Sequence, residues 1–141
     1  MLIGIPPLLG PDLLYTLRAM GHGDEIAIVD GNYPSLAHAK RLVRVDGANL
    51  CDTLRAILTV MPLDHVVQPA FRSSENNDPT QRAKVHDEIE AVFAEMTPDI
   101  QVEAIDGDHL YSRVKEAHTV VATIEPALYA NVILRKGIIW P

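Results

Sequence analysis

A lone cysteine, Cys51, is the first limit on what this chain can do. One thiol forms no internal disulfide and offers no metal-ligand spacing, and within an apolar helical pattern it reads as a buried, inert group. Aromatic residues are scarce as well, at 5% with a single tryptophan, so stacking platforms for nucleic-acid bases are scarce too. Positive charge is in deficit, with 12 Lys and Arg against 19 Asp and Glu, and the largest basic cluster is Lys40, Arg41 and Arg44. A net charge of -7 argues against the phosphate-backbone attraction on which nucleic-acid binding depends. No apolar run is long enough to span a bilayer, and the start, Met1 to Pro7, has no basic region and is broken by prolines. A cytoplasmic protein is therefore expected, with neither membrane nor nucleic acid as partner. Glycine-rich dinucleotide fingerprints, Walker loops and Gly-x-Ser-x-Gly elbows are absent, which removes common reasons for a small α/β chain to bind nucleotides or cleave esters. Histidines 38, 65, 86, 109 and 118 show no His-x-x-x-His spacing, so the pattern names no metal site and no cofactor is expected.

What is present fits one folded domain over residues 1–141, with 48% hydrophobic and 22% charged residues. Pro11-Asp12 followed by Leu13, Leu14, Leu17 and Met20 predicts a helix with Gly21 as its C-terminal stop. Ile26 to Val29 reads as a strand covered on both faces, followed by a turn-rich Asp30 to Ser35. Further strands are expected at Leu42–Val45, His65–Phe71 (with Pro69 marking an edge or bulge), Ile100–Ile105, Thr119–Ile124 and Asn131–Leu134. Helices are expected from Leu50 to Met61, from Thr80 to Met96 with His86 on the solvated face, and after the Asp106-Gly107-Asp108 turn. Arg72 to Pro79 reads as an exposed polar loop. Strands alternating with helices imply a three-layer α/β/α domain with a largely parallel or mixed central sheet.

Polar residues beside strand ends are the ones to weigh for chemistry, because ligands of open α/β sheets sit where the loops gather. Met20-Gly21-His22-Gly23-Asp24-Glu25 places an imidazole between two glycines, reachable from several sides and suited to general acid/base work. The alternative for His22 is an exposed histidine in a helix-stop turn. Asp30 can accept hydrogen bonds from hydroxyls or can simply start a turn. Tyr129 and Asn131, two apart in an extended segment, share one side; their alternative is a tyrosine packed at a strand edge with asparagine in the turn. Imidazole, carboxylate, phenol and amide together suit a neutral polyol and proton transfer.

Gly21-His22-Gly23-Asp24-Glu25-Ile26, then Asp30 and Pro34, Asp46-Gly47 with Asp52-x-Leu54-x-Ala56-Ile57, and Tyr129-Ala130-Asn131-Val132-Ile133-Leu134-Arg135-Lys136-Gly137 together resemble the D-ribose pyranase and L-fucose mutarotase family. The resemblance spans nearly the whole chain and lies closer to the fucose branch. It implies a cofactor-free isomerase that equilibrates the anomers or ring forms of a reducing monosaccharide, built as a ring-shaped homo-oligomer. It also implies that His22 is the acid/base group and that Asp30, Tyr129 and Asn131 hold the sugar. One departure stands out: Gly107 occupies a position where the family usually has Arg or His, and His109, two residues on, is the candidate to take over that contact. A non-catalytic sugar-binding or transport accessory protein, a ribose pyranase and a metal-dependent enzyme are the alternatives.

Geometry adds a constraint of its own. Eight extended steps of about 3.3 Å separate His22 from Asp30 by about 26 Å, too far for one monosaccharide. Either the Gly-His-Gly turn folds back, or the two residues of one site come from different subunits.

Overall fold

The computed structural model describes residues 1–141. Helix α1 (Pro11–Ala19) opens with proline at its first position, where the missing N–H costs nothing. It buries Leu13, Thr16 and Leu17 and ends when Met20 turns extended, its N–H donating to the Thr16 carbonyl. Gly21 is thus not the cap; the left-handed glycine in this turn is Gly23, at φ +87°. Strand β1 (Glu25–Val29) follows, then the short helix α2 (Ser35–His38), strand β2 (Leu42–Arg44) and helix α3 (Leu50–Val60). The Asn49 side chain caps α3 by accepting from the Asp52 N–H at 2.8 Å. Strand β3 (Ala70–Arg72), a 3-10 turn (Glu75–Asn77), helix α4 (Lys84–Met96), strand β4 (Glu103–Ala104) and helix α5 (Gly107–Glu116) come next. Strands β5 (Thr119–Ala122) and β6 (Val132–Arg135) complete the order.

The six strands form one mixed sheet in the order β2-β5-β1-β6-β3-β4. All neighbours are parallel except β6, which runs antiparallel to both β1 and β3. Side chains alternate across β1 as the pleat demands. Ile26 and Ile28 pack with Leu13, Leu54, Ile57, Ile89 and Phe93 on the face covered by α1, α3 and α4, while Ala27 and Val29 pack with Leu110, Val114 and Ile133 under α5. With helices on both faces, the strand is apolar at consecutive positions instead of alternating.

Several expectations about individual segments change. The strand expected over His65–Phe71 is confined to Ala70–Arg72, and it is no edge, since β4 and β6 flank it. Pro69 lies just ahead of it and contributes only its carbonyl, which accepts from the Arg135 N–H. The polar run from Arg72 is not exposed at its start: Arg72, Ser73 and Ser74 are buried, because Arg72 pairs with Glu90 at 2.9 Å and both serine hydroxyls donate to backbone carbonyls. The strand expected from Ile100 shrinks to Glu103–Ala104. His86 is fully buried, not solvated, because backbone groups engage both of its ring nitrogens.

The backbone closes tightly where β6 ends. Gly137 donates its N–H to the Pro62 carbonyl, and a Cβ there would lie against the Leu63 carbonyl, 2.8 Å from the Asp64 nitrogen. Gly137→Ala is expected to force these two segments apart and to lower stability by about 1–3 kcal/mol, the usual cost of overpacking. Urea unfolding would show it as a lower midpoint with an unchanged slope.

Candidate active site

The C-terminal end of β1 meets the start of β6, and there two polar side chains are buried face to face. Asp30 is 6% exposed and Asn131 5% exposed. The Asp30 N–H donates to Asn131 Oδ1 at 3.2 Å, and Asn131 Nδ2 donates back to Asp30 Oδ2 at 3.1 Å. This reciprocal pair fixes the orientation of the amide. Asp30 Oδ1 accepts from the Asn32 N–H at 2.9 Å, which makes the turn that carries the chain into α2. Burial pushes the Asp30 carboxyl above its ordinary range, opposed only by neutral donors: the Asn32 N–H, the Asn131 amide, and the Tyr33 and Ala130 N–H groups.

Asp30 and Asn131 lie on the wall of a cavity of about 240 Å³ whose other lining includes Tyr33, Ser73, Asn77, Tyr111 and Tyr129. Tyr129 adopts φ +62°, a left-handed conformation uncommon for an aromatic residue. Its carbonyl is held from two sides, by His86 Nε2 at 2.9 Å and by the Ser73 hydroxyl, while its phenol donates to Asn76 Oδ1 at 3.2 Å. Since His86 Nδ1 accepts the Ala83 N–H at 3.0 Å, the proton sits on Nε2 and the imidazole is neutral. Burial also depresses the pKa of this ring. Tyr33 and Tyr111 form the aromatic wall, stacked with centroids 5.5 Å apart, and the Tyr33 phenol bonds His38 Nδ1 at 2.9 Å. Burial raises the Tyr33 pKa further, so this group stays a neutral phenol. Among the lining residues Asp30 carries the only charge, and no cation lines the cavity.

His22 stands at the other end of β1. Its Nε2 lies 3.3 Å from Asp64 Oδ2, and the imidazole is 49% exposed. Asp64 itself is buried: Arg135 Nε donates to it at 2.9 Å and the Val66 N–H at 2.9 Å. These two donors, first the Val66 N–H and then the guanidinium, hold the Asp64 carboxyl down at about 2, so it stays ionised beside the imidazole. A half-exposed imidazole fixed by a buried carboxylate is equipped to exchange protons with a molecule outside its own chain.

Comparison with known proteins identifies the family of the chain. A model of the RbsD / FucU transport protein family matches residues 3–139. The chain belongs to that family. It is 37% identical over 147 residues to a fucose mutarotase of Danio rerio, covering all of this chain and 96% of the relative. The fucose mutarotase of Streptococcus pneumoniae, solved with L-fucose, superposes with a TM-score of 0.86 at 37% identity, over 99% of this chain and all of that one. FucU from Bifidobacterium longum gives 0.89 at 36% identity, over 97% and 99% of the two chains.

Of the residues singled out from sequence, Asp30, Tyr129 and Asn131 converge on one cavity of this RbsD/FucU member. His22 and His109 do not join them. His109 Nδ1 is 2.6 Å from Asp106 Oδ2 and its side chain is 79% exposed, outside the cavity wall. Sequence reasoning passed over Asp64, Arg135, Ser73, Asn77, Tyr33 and His86 as members of the two sites. Their contacts reach across 42 residues for His22–Asp64 and 43 for His86–Tyr129, and no local spacing signals such pairs. The short Tyr33–His38 pair, five residues apart in a turn, was the one within reach of local reasoning.

Two outcomes are expected. Because the folded-state pKa of Asp64 is depressed from 3.8 to about 2, its contribution to stability is complete above the ordinary value and lost as the pH falls towards 2. A 13C NMR titration of its carboxyl should give a midpoint near 2, and Asp64→Asn should lie below wild type in urea midpoint at neutral pH, with the gap closing below about pH 3. His86→Leu leaves the Ala83 N–H unpaired and the Tyr129 carbonyl with one donor; calorimetry should show a loss of about 1–3 kcal/mol.

Proposed function

We propose that this chain is a cofactor-free monosaccharide mutarotase acting on L-fucose or a close neutral sugar. The observation that carries the reading is the cavity around Asp30: one buried carboxylate, amides, a hydroxyl and phenols, with no cation, in a chain alike over its full length to fucose mutarotases. Such a lining satisfies hydroxyls and gives nothing to a phosphate or a carboxylate. Tyr33, Tyr111, Pro34, Leu110 and Leu128 supply an apolar wall for the carbon face of the ring.

In this reading Asp30, Asn131 and Tyr129 orient the sugar, and His22 moves the protons. A base takes the proton of the anomeric hydroxyl while an acid protonates the ring oxygen; the bond from the anomeric carbon to that oxygen breaks, giving the open-chain carbonyl compound. Reclosure on the opposite face returns both protons and yields the other anomer. A histidine serves both directions because its conjugate forms are both accessible near neutral pH.

The cavity and His22 lie at opposite ends of β1, so the working site takes His22 from one subunit and the Asp30 cavity from another, and the protein is a ring-shaped homo-oligomer in the cytoplasm. The surroundings of His22 support this. Val66, Ile139 and Trp140 stand largely exposed on that side, with Trp140 against His65 at 5.4 Å between ring centroids, and apolar surface of this kind is normally covered.

Exchange NMR on anomers of L-fucose, D-ribose and D-galactose tests the reading. Faster interconversion with the protein is expected, and His22→Ala should lose about a hundred- to ten-thousand-fold in rate. Mixing His22→Ala with Asp30→Asn, after dissociation and reassembly, should restore part of the activity, since some interfaces then combine an intact histidine with an intact cavity. Binding of sugar at an unchanged buffer rate of exchange would instead identify a binding protein and overturn the enzyme reading.

A further inference from the structure

The turn that follows β3 carries two consecutive asparagines in the left-handed conformation, Asn76 at φ 53° and Asn77 at φ 60°. Asparagine tolerates this region better than most residues, yet a pair of them still costs conformational energy and calls for a reason. Asn76 has one within the protein: its Nδ2 donates to Gln81 Oε1 at 2.9 Å, and its Oδ1 accepts the Tyr129 phenol at 3.2 Å. Asn77 has none of this kind. No hydrogen bond of the protein engages its amide, and it lies on the cavity wall with Asp30, Tyr129 and Asn131.

Its place there depends on Gly107. A Cβ on Gly107 would sit 2.6 Å from Asn77 Cγ and 3.1 Å from Asn77 Cβ, with Asn77 Oδ1 closer still. The amide therefore rests directly on the Cα of Gly107, and a side chain at 107 and this position of Asn77 exclude each other. Both partners are held from behind. Ser74 Oγ donates to the Ile105 carbonyl at 2.6 Å and the Ile105 N–H to the Arg72 carbonyl at 3.0 Å, tying the turn to the segment that enters α5. Asp106 caps α5 by accepting from the His109 N–H at 2.9 Å.

We infer that Asn77 is a sugar-contacting residue that sets which hydroxyl pattern the cavity accepts, and that Gly107 acts through it by leaving room for its amide. The inference rests on the monosaccharide reading given above. An amide offers a donor and an acceptor to one hydroxyl, and a site built to bond a hydroxyl penalises a sugar that lacks it or points it elsewhere. A contact made equally to substrate and transition state appears in KM, with kcat little changed.

A double-mutant cycle read by anomer-exchange NMR on L-fucose, D-ribose and D-galactose tests this. Asn77→Ala is expected to raise KM for the preferred sugar about tenfold with kcat within about twofold, and to flatten the ranking among the three sugars. Gly107→Ala, at a glycine without a positive φ, should do the same by displacing the Asn77 amide while leaving Tm unchanged. The double variant should be no worse than Asn77→Ala alone, because the alanine at 107 then has no amide to displace. Wild-type kinetics in Asn77→Ala, or additive losses in the double variant, would overturn the inference while leaving the mutarotase reading intact. Should the wild type accelerate no sugar, that reading fails separately, and titration of the same variants with L-fucose by NMR shift perturbation decides the inference: weaker binding in both single variants upholds it, and equal binding or none overturns it.

Discussion

The placement of β6 is the constraint on which the rest of the structure depends. It is inserted antiparallel between β1 and β3 in a sheet that is otherwise parallel, with Ile26 opposite Leu134 and Ile28 opposite Val132. Antiparallel pairing puts the start of β6 beside the end of β1, so Asn131 meets Asp30; it puts the end of β6 beside the start of β1, so Arg135 meets Asp64, and Asp64 meets His22. Four extended steps from Asn131 to Arg135 span about 13 Å. The backbone ladder, not any side-chain choice, keeps the two polar clusters apart, and no rotamer change within one chain brings them together.

Each cluster buries a carboxylate, and the two burials have opposite consequences. Asp64 has a guanidinium and a backbone N–H and is held ionised, with its pKa at about 2. Asp30 has only an amide and backbone N–H donors, and burial drives it upward. The first carboxylate is committed to orienting His22. The second lines the cavity, and its burial carries a desolvation cost that further hydrogen-bond donors would relieve. Carboxylates perturbed in opposite directions in this way mark candidate functional positions.

Periodicity revealed most of the architecture because both sheet faces are covered. The uninterrupted apolar run of β1 and the helical spacing in α1, α3 and α4 are direct consequences of the two cores. Where the reading failed, long-range polar contacts were responsible. Arg72, Ser73 and Ser74 look like loop residues until Glu90 and the carbonyls of Tyr129 and Ile105 claim them, and His86 looks solvated until Tyr129 does. The cavity was legible in Asp30, Tyr129 and Asn131 because these lie at strand ends. The contribution of Asn77 was not, since the room it occupies is defined by an absent side chain at Gly107.

Backbone strain gives an argument for the cavity that is independent of resemblance. The three non-glycine residues with positive φ are Asn76, Asn77 and Tyr129; two line the cavity and the third accepts the phenol of Tyr129. Asparagine tolerates this region better than an aromatic residue does, so Tyr129 is the more informative case. Its ring lies outside the two hydrophobic clusters, so core packing does not explain the conformation. A buried imidazole and a buried serine nevertheless converge on its carbonyl to hold it. Strain maintained by buried polar groups at the rim of a cavity, with no packing gain in return, makes that cavity the candidate site on physical grounds alone.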